Sequence, residues 1–239
     1  MDATELENLD PGQSGRGLLD GSVHSYVLRS GRMTDAQRRS IEMYGPCYLV
    51  EYRQAELDVA ALFAEPNPLI LEIGFGMGQA TWRIARDRPR FNYLGIEVHT
   101  PGVGRLIMDA KAANLTNIKI IQHDAIEVLR SMIPIGCLAG IHVFYPDPWP
   151  KKRHHKRRFM QDAVIELMAH RLAHGAYLYF VTDIEEYAYF SKEALDRCEL
   201  LHNNYEVFAP RQEWRPETKF EHHAKNSGRG RFELLYTRR

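Results

Sequence analysis

The chain has 239 residues, 44% hydrophobic and 26% charged, the make-up of an ordinary globular protein with enough apolar residues for one full core. Lys plus Arg and Asp plus Glu both number 31, so bulk charge says nothing about a polyanionic partner and only local clusters count. Cys47, Cys137 and Cys198 are odd in number, widely spaced and without a C-x-x-C pair, which argues against a disulfide framework or a zinc site and fits a reducing compartment.

The opening M-D-A-T-E-L-E-N-L-D is acidic and has no apolar core, so it does not read as a signal peptide, and no apolar run is long enough to span a bilayer. The expected location is the cytoplasm. Residues 1–22, acidic and then Gly-rich, have too few apolar residues to bury and read as a mobile arm. Residues 23–239 read as a single domain. Its first piece, 23–32, carries Arg29 and Arg32 and reads either as a basic latch over the site or as a surface segment packing Tyr26 and Leu28. Short helices are expected at 34–44 and at 56–64, the second with Leu57, Ala61 and Ala64 on one face, before Pro66 and Pro68 punctuate the chain.

From residue 69 the pattern becomes regular. Near-continuous apolar runs at 69–73, 91–96, 118–121, 141–145 and 177–181 alternate with helix-like segments at 79–86, 104–113, 125–132, 159–172 and 184–198. This βαβα series predicts an α/β fold with a doubly wound, mostly parallel, Rossmann-like sheet. Two more strands, 205–208 and 232–237, are expected to close a seven-stranded sheet as an antiparallel hairpin around a long polar loop, W-R-P-E-T-K-F-E-H-H.

Open α/β sheets bind ligands beyond the carboxyl ends of their strands. Each of the five runs brings an acid there: Glu72 within the first, then Glu97, Asp124, Asp147 and Asp183 at or past the ends of the others. The first run enters L-E-I-G-F-G-M-G, whose Gly74, Gly76 and Gly78 allow a tight turn and close backbone approach to a ligand. The spacing is G-x-G-x-G, which is neither the pyrophosphate-cradling G-x-G-x-x-G nor a P-loop. Glu97 is placed to take both hydroxyls of a ribose with its two oxygens, and the combination suits a nucleoside without phosphates. Asp124 either accepts from an adenine amine or caps the helix at 125. The adjacent pairs His154-His155 and His222-His223 lack the spacing of metal ligands, so no metal is expected.

The most unusual stretch is F-Y-P-D-P-W-P-K-K-R-H-H-K-R-R, residues 144–158. Prolines on both sides of Asp147 restrict the backbone, so the turn carrying the acid should be stiff. Trp149 and Tyr145 are open to two readings, stacking on a base or burial against the sheet. From Lys151 to Arg158 there are six Lys or Arg and two His in eight residues, a cationic track suited to phosphates.

E-I-G-F-G-M-G with the later acid resembles class I S-adenosylmethionine-dependent methyltransferases, and P-D-P-W-P-K-K-R-H-H-K-R-R with T-K-F-E resembles the bacterial tRNA (guanine-N7)-methyltransferases. The likeness runs from about Ser25 to the C-terminus and leaves the N-terminal arm without a counterpart. It implies S-adenosylmethionine as cofactor and tRNA as partner. It further implies that Glu72, Glu97 and Asp124 surround the cofactor, that Asp147 is the catalytic acid beside it, and that Lys151 and Asp183 contact substrate. Thr218, Lys219, Phe220 and Glu221 become a substrate-binding loop by the same likeness, and Arg153, His154, His155, Lys156, Arg157 and Arg158 an RNA-contacting track. A monomer or weak homodimer is expected. Two rival readings are a methyltransferase for an exocyclic amine, whose pattern is usually D-P-P-aromatic, and a non-catalytic RNA-binding protein on the same fold.

Overall fold

The computed structural model describes residues 15–26, 31–217, 221 and 230–239. Five strands, Leu69–Ile73 (β1), Asn92–Ile96 (β2), Ile118–Ile121 (β3), Leu138–Phe144 (β4) and Leu172–Thr182 (β5), pair in parallel. Leu201–Asn203 (β6) and Phe232–Arg238 (β7) extend the sheet antiparallel beyond β5, in the order β3-β2-β1-β4-β5-β7-β6. All residues of β1 and β2 are buried, which is why these strands read as continuous apolar runs.

Seven helices are described: Arg16–Leu19 (α1), Asp35–Tyr48 (α2), Gln79–Asp87 (α3), Thr100–Ala112 (α4), Ala125–Ser131 (α5), Asp162–Arg171 (α6) and Glu185–Arg197 (α7). Side chains alternate along β1: Leu69, Leu71 and Ile73 join the core closed by α5, α6 and α7, and Ile70 joins the core under α2, α3 and α4. Both faces are therefore covered, as the doubly wound pattern requires. Thr34 starts α2 through a reciprocal capping box with Gln37, and Leu49 then adds a parallel bridge to Ile120 at the edge of β3.

Four expectations need correction. Residues 56–64 form turns: the Asp58 carboxylate accepts from the Ala61 N–H at 3.2 Å, and the Leu57 N–H is spent on the Met132 carbonyl at 2.8 Å. A local aspartate bond of this kind competes with helix, and Pro66 and Pro68 leave the segment no room to recover. The penultimate strand is β6, not 205–208, because Asn203 turns the chain by accepting from the Tyr205 N–H at 3.0 Å and donating to the Val207 carbonyl at 3.2 Å. Tyr145 has φ 51° and lies outside β4. Within the expected arm, α1 packs Leu18 and Leu19 into the core at 3% and 5% exposure, so two leucines suffice to dock residues 16–19.

Candidate functional site

Since β1 to β5 are parallel, their carboxyl ends share one edge of the sheet. Strand order then lines up the turns after them: Asp124 after β3, Glu97 after β2, the glycine turn after β1, Asp147 after β4 and Asp183 after β5. The order reverses between β1 and β4. Open sheets of this kind bind ligands at such a switch point, which here lies between the glycine turn and the turn carrying Asp147.

Gly74 and Gly76 have φ of 70° and 57°, a region that costs other L-residues about 1–2 kcal/mol. Nothing among the described residues lies within 4 Å of where a Cβ on either would sit, so the turn presents bare backbone to open space. Gly78 serves packing instead, because a side chain there would come within 2.8 Å of Leu106 on α4. Glu97 braces the same turn. One of its oxygens accepts from the Gly76 N–H at 2.7 Å, and the other from the N–H groups of Val98 and His99 at 2.8 and 3.0 Å. Oε1 has both lone pairs taken and Oε2 keeps one, so the acid that shapes the turn can still accept from one ligand hydroxyl.

Glu72 lies beneath, on the β1 face that looks toward α3, at 3% exposure. Burial pushes its carboxyl up to about 7, with Thr81 pulling it down and the neighbouring Glu97 charge adding to the rise. Its Oε2 is buried without a hydrogen-bond partner among the described residues. An unmatched acid below a bare glycine turn suits a ligand that brings positive charge. Asp124 caps α5, as one of its two expected readings held: Oδ1 accepts from the N–H groups of Ile126 and Glu127 at 2.8 and 3.1 Å. Both bonds use one oxygen of the acid.

Asp147 is half-buried between two residues with left-handed backbone, Tyr145 at φ 51° and Trp149 at φ 45°. Aromatic residues adopt this conformation only where surroundings impose it, at about 1–3 kcal/mol each. The restraints are visible. The Tyr145 N–H is bonded to the Val181 carbonyl of β5 at 2.8 Å, and burial pushes the Tyr145 phenol upward. The Trp149 indole donates to the Ser25 carbonyl at 3.1 Å, packs edge-on to His154 and carries the Arg157 guanidinium 3.8 Å above its ring. Trp149 is thus held by the protein's own N-terminal segment, which favours burial over base stacking in this structure.

The cationic track divides into two parts. Lys151, Arg153 and Lys156, together with Lys152, are exposed on a short 3-10 helix, Lys152–Arg157, or at its start; His154 and His155 are half-buried. Neighbouring positive charges help to lower the His154 imidazole, after desolvation as the leading cause. The arginines at the end turn inward. Arg157 donates to the carbonyls of His24 and Tyr26 at 2.9 and 2.8 Å. Arg158 has 0% exposure, which removes it from the set of phosphate contacts: it donates to the Pro148 carbonyl at 2.9 Å and to Glu186 at the start of α7.

Asp183 is half-buried between β5 and α7, on the same edge as Asp147. Thr218, Lys219 and Phe220 fall outside the described residues. Glu221 is 7% exposed and accepts from Arg215 at 2.5 Å. Arg215, fully buried, also reaches Glu233 at 3.1 Å and the Tyr179 hydroxyl at 3.2 Å, while Arg231 bonds Glu233 at 2.5 Å. Sequence reading missed Arg215, Glu233, Arg231 and Glu186. The only trace of the first three was a cluster of Arg and Glu spanning the polar loop and β7.

Comparison with known proteins bears on this site. The family described as "Putative methyltransferase" matches residues 66–234. Among solved structures the chain is similar to the 16S rRNA methyltransferase KamB, with TM-score 0.52 and 14% identity over 90% of this chain and 98% of that one. The aminoglycoside resistance methyltransferase NpmB1 gives 0.50 and 13% over 72% and 87%. Fold, glycine turn and strand-end acids together define a class I methyltransferase. Relatives named tRNA (guanine-N(7)-)-methyltransferase are 46% identical in Acidovorax sp. (strain JS42), covering 96% of this chain and 93% of the relative, and 48% identical in Aromatoleum aromaticum (strain DSM 19018 / LMG 30748 / EbN1), covering 96% and 88%. That of Methylobacillus flagellatus (strain ATCC 51484 / DSM 6875 / VKM B-1610 / KT) is 44% identical over 91% of this chain and 92% of its own. The chain belongs to the tRNA (guanine-N7)-methyltransferase family.

Proposed function

We propose that this protein methylates N7 of a guanine in tRNA, with S-adenosylmethionine as donor. The observation that carries the reading is the constrained Pro146-Asp147-Pro148 turn at the switch point, with the bare glycine turn on one side and exposed cations on the other. Gly74 and Gly76 would admit the donor close to the backbone, Glu97 would accept from its ribose, the second oxygen of Asp124 from its adenine amine, and Glu72 would face its positive charge. When bound, S-adenosylmethionine supplies a methyl group made electrophilic by the sulfonium.

Guanine N7 bears no proton and is an acceptor on the exposed edge of the base, so the reaction needs alignment more than a base. The N7 lone pair forms the new bond to carbon and the bond from sulfur breaks, which leaves positive charge on the guanine ring. The Asp147 carboxylate accepts from the N1 and exocyclic amine protons of the guanine, which selects this base and offsets the developing charge. Asp183, across the β4–β5 pair, would hold the other side of the substrate. Exposed Lys151, Lys152, Arg153 and Lys156 meet tRNA phosphates, which set register without reading sequence. The reading carries with it a monomer or weak homodimer acting on tRNA in the cytoplasm, with no metal in the reaction. The test is to incubate the protein with methyl-labelled donor and bulk tRNA, then digest and identify the labelled nucleoside. The expected result is 7-methylguanosine; label in an exocyclic N-methyl nucleoside would overturn the reading.

A further inference from the structure

Arg158 is the last residue of the basic run, and its surroundings do not suit a phosphate contact. Its guanidinium is wholly buried, 5.0 Å from the ring centre of Tyr187 and 4.8 Å from that of Phe190. Nε donates to the carbonyl of Pro148, the residue after Asp147, at 2.9 Å. Nη1 donates to Glu186 Oε1 at 2.9 Å, Nη2 to the other oxygen, and Nη2 also lies 3.1 Å from Nε2 of His155. Glu186 stands in the first turn of α7, three residues after Asp183. A single guanidinium therefore ties the turn carrying Asp147 to the helix start that follows Asp183.

We infer that Arg158 is a positioning residue that sets the separation and orientation of these two acid-bearing turns around the guanine, and that it never touches RNA; the inference rests on the proposed guanine-N7 reaction. A stability role alone does not explain the arrangement. Burying a guanidinium is costly, its partner Glu186 is 60% exposed in its side chain, and an apolar side chain could fill the space against Tyr187 and Phe190. What only arginine supplies here is a planar fork that meets a carbonyl on one edge and a carboxylate on the other; lysine would reach only some of these partners.

The experiment uses the full chain, bulk tRNA and labelled S-adenosylmethionine under single-turnover conditions at saturation, with wild type, Arg158→Lys and Glu186→Ala. Glu186 is exposed, so its removal tests the tie even if Arg158→Lys folds poorly. Misplacing a reacting group by about 1 Å can cost on the order of a hundredfold, so the rate constant should fall about a hundredfold in Arg158→Lys and about tenfold in Glu186→Ala. The folded fraction, read from circular dichroism and the cooperative thermal melt, and the slope of log tRNA affinity against log salt should stay at wild-type values. Because lysine keeps the charge, the salt series also includes Arg158→Gln, and a slope lower by roughly 0.7–0.9 in that variant would make Arg158 a phosphate contact and overturn the inference. A lower folded fraction at an unchanged rate constant would make it merely structural. If wild type yields 7-methylguanosine and both variants match its rate constant, the positioning role alone falls; if wild type leaves tRNA unmethylated, the proposed function falls and this role with it.

Discussion

Glu72 gives the proposed cofactor end of the site a measurable signature. An ordinary glutamate titrates near 4.5, whereas burial carries this one to about 7. Between those values the folded protein keeps a proton that the unfolded chain has released, so stability falls as pH rises across the window, by about 1.4 kcal/mol per pH unit and about 3 kcal/mol in all. Glu72→Gln keeps the shape and removes the titration. Near pH 4.5 the two proteins should have similar stability. By pH 8, without donor, the variant should be more stable by about 3 kcal/mol, roughly 6–12 °C in Tm for a chain of this length. S-adenosylmethionine should oppose this difference, because its positive charge favours the ionised Glu72; at pH 8 saturating donor should raise the wild-type Tm more than that of the variant. Thermal melts from pH 4.5 to 8, with and without donor, make the measurement. Parallel pH profiles would show that Glu72 ionises freely, and equal donor-induced shifts would place it away from the ligand.

Gly76→Ala puts a side chain on a residue at φ 57° and a methyl into the open face of the turn, so Tm should drop by a few degrees and the donor Kd by calorimetry should rise at least about tenfold. Glu97→Ala removes the acceptor of three backbone N–H groups and the expected ribose partner; one lost charge-assisted bond, about 1.5–3 kcal/mol, corresponds to at least about tenfold weaker donor binding, and an unchanged Kd would remove Glu97 from the site. Arg153→Ala with Lys156→Ala should flatten the dependence of log tRNA affinity on log salt by roughly 0.9 per lost phosphate contact while the saturating rate holds. An identical slope would leave both side chains merely solvated.

The parallel core of the fold was legible because buried strands between amphipathic helices have few other solutions, and the strand-end acids were legible because topology brings those ends together. Where reading failed, local side-chain bonds had decided the outcome. Asp58 turned a helical pattern into turns, and Asn203 moved the sixth strand. Arg157 and Arg158 show the limit more sharply: in a run of six cations nothing local separates those that face water from those that turn inward. The partners of Arg157 are carbonyls more than 130 residues away, and Arg158 needs a carboxylate on a helix not yet formed when the motif is read. The prolines around Asp147 announced a stiff turn, but the left-handed Tyr145 and Trp149 that complete it are imposed by tertiary contacts, which residue type does not disclose.

The role of Asp147 is tested most directly by the single-turnover rate of Asp147→Asn at saturating donor and tRNA, with the product nucleoside identified and the wild-type step repeated in heavy water. The substitution keeps shape, sets a donor against a donor on the guanine edge and removes the charge opposing the developing cation. Loss of one preorganised electrostatic partner costs about 10² to 10³ in rate, so a rate at least about a hundredfold lower is expected, with 7-methylguanosine still the only product. Because N7 carries no proton, the wild-type step should show little solvent isotope effect. A near-normal rate in the variant would contradict the orienting role, and a large isotope effect with 1-methylguanosine as product would show that Asp147 removes a proton from a different atom.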